Sequence, residues 1–184
     1  RLVRDWSSDV CSSDLFYFDR LTGKRLGQFA KGSGMGSFAL LADNRIVHGP
    51  ADRSGGVLTE ASLSGDKVAS HTDALDMIVD SRAIFMLTAN KMTAMTRSNR
   101  RGLWSQSVEA GTALALAGKT LFVGSRDKVS AFNAANGKAL WSGPVPGRAL
   151  GLAVANGALL VSTDTGAIVS FGQASDQPSA WIFY

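Results

Sequence analysis

Side chains that do chemistry are scarce in this chain. It holds one cysteine, Cys11, and two histidines, His48 and His71. One cysteine excludes an internal disulfide and a cysteine-built metal site. Neither histidine has a second ligand type at metal-binding spacing. No G-x-S-x-G nucleophile elbow is present. Long apolar runs are also missing: the longest candidate, Ala149 to Val161, is interrupted by Asn156-Gly157. Nothing approaches the ~20 apolar residues of a membrane-spanning helix.

The one cysteine lies in Asp5 to Leu15, DWSSDVCSSDL. This stretch resembles the translation of a sequencing adapter and shows no apolar period. Residues 1–15 are therefore read as a non-native segment and set aside from fold reasoning. The rest has no cysteine and carries a net charge of +5, against +4 for the whole chain. With the native N-terminus expected to be missing, a signal peptide is not readable. The basic residues are scattered except for Arg97, Arg100 and Arg101. Aromatic and basic residues do not interleave as single-stranded nucleic acid requires. That cluster reads as a solvated loop, and no nucleic-acid partner is expected.

What the chain does have is glycine, 20 residues of it, and 45% apolar content arranged in short runs between turn signals. Such a composition belongs to turn-rich, all-β chains. From Lys128 to Phe171 the runs are Val129 to Phe132, Ala139 to Trp141, Leu150 to Ala155, Leu159 to Ser162 and Ile168 to Phe171. Asn136-Gly137 and Asn156-Gly157 lie between runs, where two-residue type I′ turns are expected.

The runs recur at a fixed period. Leu41, Val79, Leu116 and Val154 are spaced by 38, 37 and 38 residues. His48, Met86, Val123 and Val161 each follow seven residues later. Met95, Phe132 and Phe171 form another set, and Trp104 and Trp141 stand 37 apart. A period of this size with about four strands per repeat predicts propeller blades. Phe38 to Val68, Leu75 to Val108 and Thr112 to Val145 are read as blades. Phe16 to Phe29 is an outer half-blade, and Leu150 to Phe171 supplies three strands of another. Ile84 to Leu87 is uniformly apolar and predicts a strand buried on both faces. Met77, Met86, Met92 and Met95 read as core filler. Gly32, Gly34 and Gly36 sit before a strand rather than a helix, so a loop is expected there and not a phosphate cradle.

Ala131 to Trp141, AFNAANGKALW, resembles the tryptophan-docking motif of pyrroloquinoline-quinone-type propeller repeats, roughly Ala-x-Asp-x-x-x-Gly-Lys-x-x-Trp. Asn133 stands for the Asp. Phe18 to Lys24 keeps the turn, with Gly27 in the Trp position. Met95 to Trp104 keeps the Trp, with Arg100 in the Gly position. The resemblance covers Phe16 to Phe171. It implies an incomplete all-β propeller, about three full and two partial blades of an eight-bladed ring. Trp104 and Trp141 are then structural, docking between blades, as are the turn residues Gly137, Asn156 and Gly157. The domain reading is 1–15 non-native, 16–172 partial propeller and 173–184 linker or truncated tail.

The family includes quinoprotein alcohol dehydrogenases and the outer-membrane assembly factor BamB. The dehydrogenases carry a vicinal-cysteine disulfide and calcium ligands, and this sequence has no such cysteine pair. Asp73, Asp76 and Asp80 read as a solvated loop edge. No catalytic or metal residue is nominated, and no cofactor-binding residue is assigned. The expectation is a non-catalytic, BamB-like scaffold for another protein or an envelope component, in the periplasm or cell envelope. The alternative is part of a quinone-dependent alcohol dehydrogenase, for which pyrroloquinoline quinone and calcium would be the cofactors.

Overall fold

The computed structural model describes residues 16–28, 39–49, 57–64, 66–172 and 182–183. The adapter-like segment, the glycine loop Lys31 to Ser37, the Pro50 to Gly56 turn and residues 173–181 of the tail lie outside them. Among the described residues all regular structure is β and no helix occurs. The chain divides into two compact units, residues 1–73 and 74–184.

In the first unit, β1 (Phe16–Phe18) and β2 (Arg25–Gln28) form an antiparallel pair. A four-stranded sheet follows from β3 (Ala39–Ala42), β4 (Arg45–His48), β5 (Val57–Ser62) and β6 (Lys67–Thr72), in sequential order. The second unit begins with an equivalent sheet of β7 (Ala74–Val79), β8 (Ala83–Thr88), β9 (Lys91–Thr96) and β10 (Gly102–Ser107). It continues with β11 (Ala113–Ala117), β12 (Thr120–Gly124), β13 (Arg126–Asn133), β14 (Ala139–Ala155), β15 (Ala158–Thr163), β16 (Ile168–Phe171) and β17 (Ile182–Phe183). Every pairing is antiparallel between chain neighbours, as short turns require.

The period of the sequence is the register of the sheets. Leu41, Val79, Leu116 and Val154 lie opposite Ile46, Ile84, Leu121 and Leu159. The third strands put Ala61, Met95, Phe132 and Phe171 in the same row. Turn chemistry holds this register. Asp43 and Asn44 have φ of 54° and 56°, and Asn156 and Gly157 have 51° and 77°, the double left-handed signature of a type I′ turn.

Two sequence expectations need correction. Asn136-Gly137 is not a two-residue turn. Gly137 alone is left-handed, at φ 72°, and it closes a longer turn in which Gly137 N–H donates to the Asn133 carbonyl and Asn133 N–H to that of Lys138. The runs Ala139 to Trp141 and Leu150 to Ala155 are not separate strands either. They are the ends of the 17-residue β14, which pairs first with β13 and then with β15. Pro144 and Pro146 fall in its first half, whose second edge carries no strand among the described residues, so their missing N–H groups break no ladder there. In addition, Ile182 and Phe183, within the expected tail, pair with Val169 and Ile168 and add a strand to β16.

Burial follows from the two-faced packing of these sheets. One core joins Phe85, Leu87, Met92 and Ala94 of the β7–β10 sheet to Leu114, Leu121, Val123 and Phe132 of the next. A second joins Val129 and Val145 to Leu159, Val161 and Val169. Ile84, Phe85 and Leu87 are buried on alternating faces of β8. Met77 and Met92 are fully buried, whereas Met86 and Met95 are partly exposed. We expect Leu121→Ala to cost about 2–5 kcal/mol of unfolding free energy. Leu160→Ala, at a 39%-exposed site on β15, should cost well below about 1.5 kcal/mol. Denaturant titration measures both, and equal losses would contradict the assigned core.

Candidate functional site

Trp104, on the edge strand β10, reaches the turn that closes β13 and β14. Its indole Nε1–H donates to the Ala134 carbonyl at 3.0 Å. Its ring lies over Gly137: a Cβ there would stand 2.7 Å from Trp104 Cε3, so only glycine fits beneath it. Phe85 packs against the indole in a tilted arrangement, with ring centroids 6.0 Å apart. The indole thus covers apolar surface while its polar edge is satisfied.

The turn itself occurs three times with one hydrogen-bond pattern. Asp19, Thr96 and Asn133 N–H groups donate to the carbonyls of Lys24, Arg101 and Lys138. Gly23, Arg100 and Gly137 N–H groups donate back to the carbonyls of Asp19, Thr96 and Asn133. The side chain at the first position caps the turn. Asp19 Oδ1 accepts from Thr22 N–H at 2.7 Å, the Thr22 hydroxyl at 2.8 Å and Leu21 N–H at 3.0 Å. These bonds hold its carboxyl below the usual carboxylate range, the Thr22 amide contributing most. Asn133 Oδ1 accepts from Ala135 N–H, the same role with a neutral acceptor. Arg100 takes the glycine position at φ 56°, an uncommon conformation for a side-chain-bearing residue.

Trp141 occupies the equivalent place one repeat later, opposite Ala131 as Trp104 is opposite Ala94. Trp141 is 42% exposed, and its ring meets Phe171 edge-on at 4.9 Å. Both rings lie against Gly143, where a Cβ would come within 2.7 Å of each. Asn156 and Gly157 form their hairpin turn at the far end of β14, with open space around Gly157.

Asp76 is not on a solvated loop edge. It lies within β7, partly buried, and its Oδ2 accepts from Leu114 N–H of β11 at 3.1 Å, tying adjacent sheets together. Asp73 and Asp80 flank that strand in exposed positions. Sequence reading also passed over Glu60. Its carboxylate is 2% exposed, accepting from His71 Nε2–H at 2.6 Å and facing Arg45 Nη1 at 3.4 Å. Alternation over Val57 to Glu60 puts Glu60 on the face of Leu58, and that was the available signal. His48 is buried too, and neither ring nitrogen has a hydrogen-bond partner. Burial disfavours the imidazolium and holds its pKa below the ordinary 6.5.

Hollows lie among the described residues of the second unit. One of about 330 Å³ has Ser107, Ser125 and Ser130 in its wall, with the Lys128–Glu109 ion pair at 3.2 Å beside them. Another, about 440 Å³ and shallower, lies along β9 and β10 between Lys91, Met95, Arg100 and Leu103. Among the described residues, no three His, Cys, Asp or Glu side chains stand together as metal ligands would. No helix there is long and apolar enough to cross a membrane.

Sequential antiparallel sheets, with the β7–β10 sheet packed on the one that follows and joined to it by the Trp104 indole, define a propeller-type repeat protein. Residues 88–182 match the family model of the outer membrane protein assembly factor BamB, and the chain belongs to this family of pyrroloquinoline-quinone-like repeats. Among solved structures it is similar to BamB from Moraxella catarrhalis, at 17% identity and a TM-score of 0.61, covering 94% of this chain and 58% of that one. It is also similar to the computationally designed Ika4 protein, at 14% identity and a TM-score of 0.61, covering 74% of this chain and 89% of that one. For the designed Ika8 protein the identity is 14% and the TM-score 0.65, covering 84% of this chain and 51% of that one. The chain thus spans little more than half the length of BamB and of Ika8. At these identities the likeness is one of fold. No curated protein matches the sequence.

Two measurements test the site. Trp104→Ala should cost about 3–5 kcal/mol, and Trp141→Ala distinctly less because its ring is partly in water. Equal costs would show that the latch is not specific to Trp104. For His48, the unfolded chain gains a proton near its ordinary pKa of 6.5 while the folded chain resists it. Stability from this residue is therefore full above pH 6.5 and falls as pH drops through the lower folded value. Unfolding curves from pH 8 to 5 should fall more steeply for the parent than for His48→Leu. Parallel curves would place the acid sensitivity elsewhere.

Proposed function

We propose that this chain is part of a BamB-like propeller that acts as a non-catalytic scaffold, binding another protein of the cell envelope during outer-membrane protein assembly. The match of residues 88–182 to the BamB family model carries this reading. Under it the four-stranded sheets are blades, about three full and two partial, belonging to a ring of about eight. The protein works in the bacterial periplasm beside the outer membrane. Its contribution is a rigid surface: paired strands leave the loops and outer strands as the parts available to a partner.

The quinone-dependent reading would need residues that hold pyrroloquinoline quinone and calcium, and four of the described carboxylates speak against it by being engaged elsewhere. Glu109 is engaged by Lys128 and Asp164 by Arg148, while Glu60 is sealed between Arg45 and His71. Asp76 is occupied by the Leu114 and Met77 amides. These carboxylates serve the fold at four separate places and do not converge on one ligand.

The direct test is loss of the encoding gene in its native bacterium. We expect less folded β-barrel protein in the outer membrane, read from heat-modifiable electrophoretic mobility, with restoration by the intact gene. Unchanged barrel levels would count against the scaffold. Titration of the protein with pyrroloquinoline quinone and calcium should leave its tryptophan fluorescence without a saturable micromolar change. Saturable binding accompanied by dye-linked alcohol oxidation would establish the dehydrogenase reading instead.

A further inference from the structure

The seam between the β7–β10 sheet and the sheet that follows it holds the 330 Å³ hollow, and the same place one repeat later is packed with apolar side chains. Backbone pairing fixes the correspondence. Val123 pairs with Ser130 as Val161 pairs with Val169, and Ser125 N–H donates to the Lys128 carbonyl as Thr163 N–H does to that of Ala167. On the other wall, Trp104 and Trp141 take equivalent places opposite Ala94 and Ala131. In the later repeat Val145, Val161 and Val169 belong to one core, with Val145 5% exposed. In the earlier one, Ser107, Glu109, Lys128 and Ser130 stand where Pro144, Pro146, Ala167 and Val169 stand. Hydrogen-bonding groups thus occupy the places of apolar filler. The hydroxyls of Ser107, Ser125 and Ser130 bond to no described residue, although Ser125 is 2% exposed. Lys128 Nζ meets Glu109 Oε2 at 3.2 Å, and the lining as a whole carries no net charge.

We propose that this hollow binds one sugar residue, free or at the end of a glycan. A pyranose carries hydroxyls that both donate and accept around a ring of C–H groups. Serine hydroxyls do both, while Lys128 only donates and Glu109 only accepts. Val123 and Phe132 line the same hollow and offer the C–H face an apolar wall. The volume lies at the lower end of the roughly 300–1,000 Å³ of small-molecule sites, which suits one ring rather than a long chain. A carboxylate or phosphate would meet Glu109 as well as Lys128, so the balanced pair favours a neutral ligand. The inference goes beyond the scaffold reading and does not depend on it.

The probes are glucose, galactose, mannose and N-acetylglucosamine as free sugars, with maltotriose and chitotriose as short glycans. Each is titrated against the full chain by saturation-transfer NMR, and at least one should bind saturably. Ser130→Val and Lys128→Ala install the residues of the next repeat, and each should weaken that binding about tenfold. Ser162→Val, exposed on β15 outside the hollow, should leave it unchanged. Matching circular dichroism spectra and unfolding midpoints confirm that the variants fold, and Ser107→Ala serves where one does not. Equal affinity for a free sugar and its trisaccharide supports the site with a single sugar as ligand, and tighter binding of the trisaccharide supports it with a glycan as the source. No saturable binding of any of the six overturns the site. So does binding indifferent to Ser130 and Lys128 in folded variants, or saturable binding of acetate or phosphate there in place of the sugars. Loss of the sugar site leaves the gene-loss test of the scaffold reading untouched, and failure of that test leaves a positive sugar titration standing.

Discussion

Sheets that are apolar on both faces cannot end in water, and that constraint shapes the second unit of this protein. A β-strand such as β8 buries Ile84 on one face and Phe85 and Leu87 on the other. One sheet alone would leave half of these side chains exposed. Stacking the next sheet on the Phe85 face buries it against Leu114, Leu121 and Val123. Apolar burial supplies the drive, at roughly 25 cal/mol per Å², but it is non-directional and does not by itself fix how two sheets sit. Direction comes from polar contacts at the seam: the Trp104 indole on Ala134 and the Asp76 carboxylate on Leu114 N–H.

These contacts explain which residues the repeat can vary. Gly137 is held to glycine twice over, by its left-handed φ and by the ring above it. Gly23 has the same φ, yet a Cβ there would meet nothing within 4 Å. Arg100 keeps the turn's hydrogen bonds with a long side chain at the same left-handed position. The backbone conformation alone therefore tolerates substitution at a modest cost, and contact with an indole does not. Likewise Asp19 and Asn133 differ in charge but both offer the acceptor oxygen that caps the turn.

Much of this was legible in the sequence because the repeat is written in side-chain size and turn chemistry. The row of Leu41, Val79, Leu116 and Val154 follows directly from period-two alternation within a period of about 37 residues. What was not legible depends on neighbours rather than on pattern. Asn136-Gly137 has the composition of a two-residue turn, but Asn133 recruits the longer one by accepting from Ala135 N–H. The break expected between the runs Ala139 to Trp141 and Leu150 to Ala155 does not occur, because an edge strand tolerates proline and β14 pairs first with β13 and then with β15. The exposure of Trp141 could not be read from a motif it shares with Trp104, since burial depends on what covers the ring.

The same dependence separates two turns built on one backbone pattern. Sequence identity between the two turns is low, but their hydrogen bonds superimpose: Thr96 and Asn133 each donate to the residue five along, and Arg100 and Gly137 each donate back. A site defined by backbone geometry persists when its side chains change, and the side chains then decide what it holds. At Gly137 the absence of a Cβ admits an indole from the same chain. At Arg100 the same left-handed backbone carries a long side chain instead. In a repeat fold, a position that departs from its copies while keeping their backbone is therefore where a specific recognition surface can arise without disturbing the core beneath it.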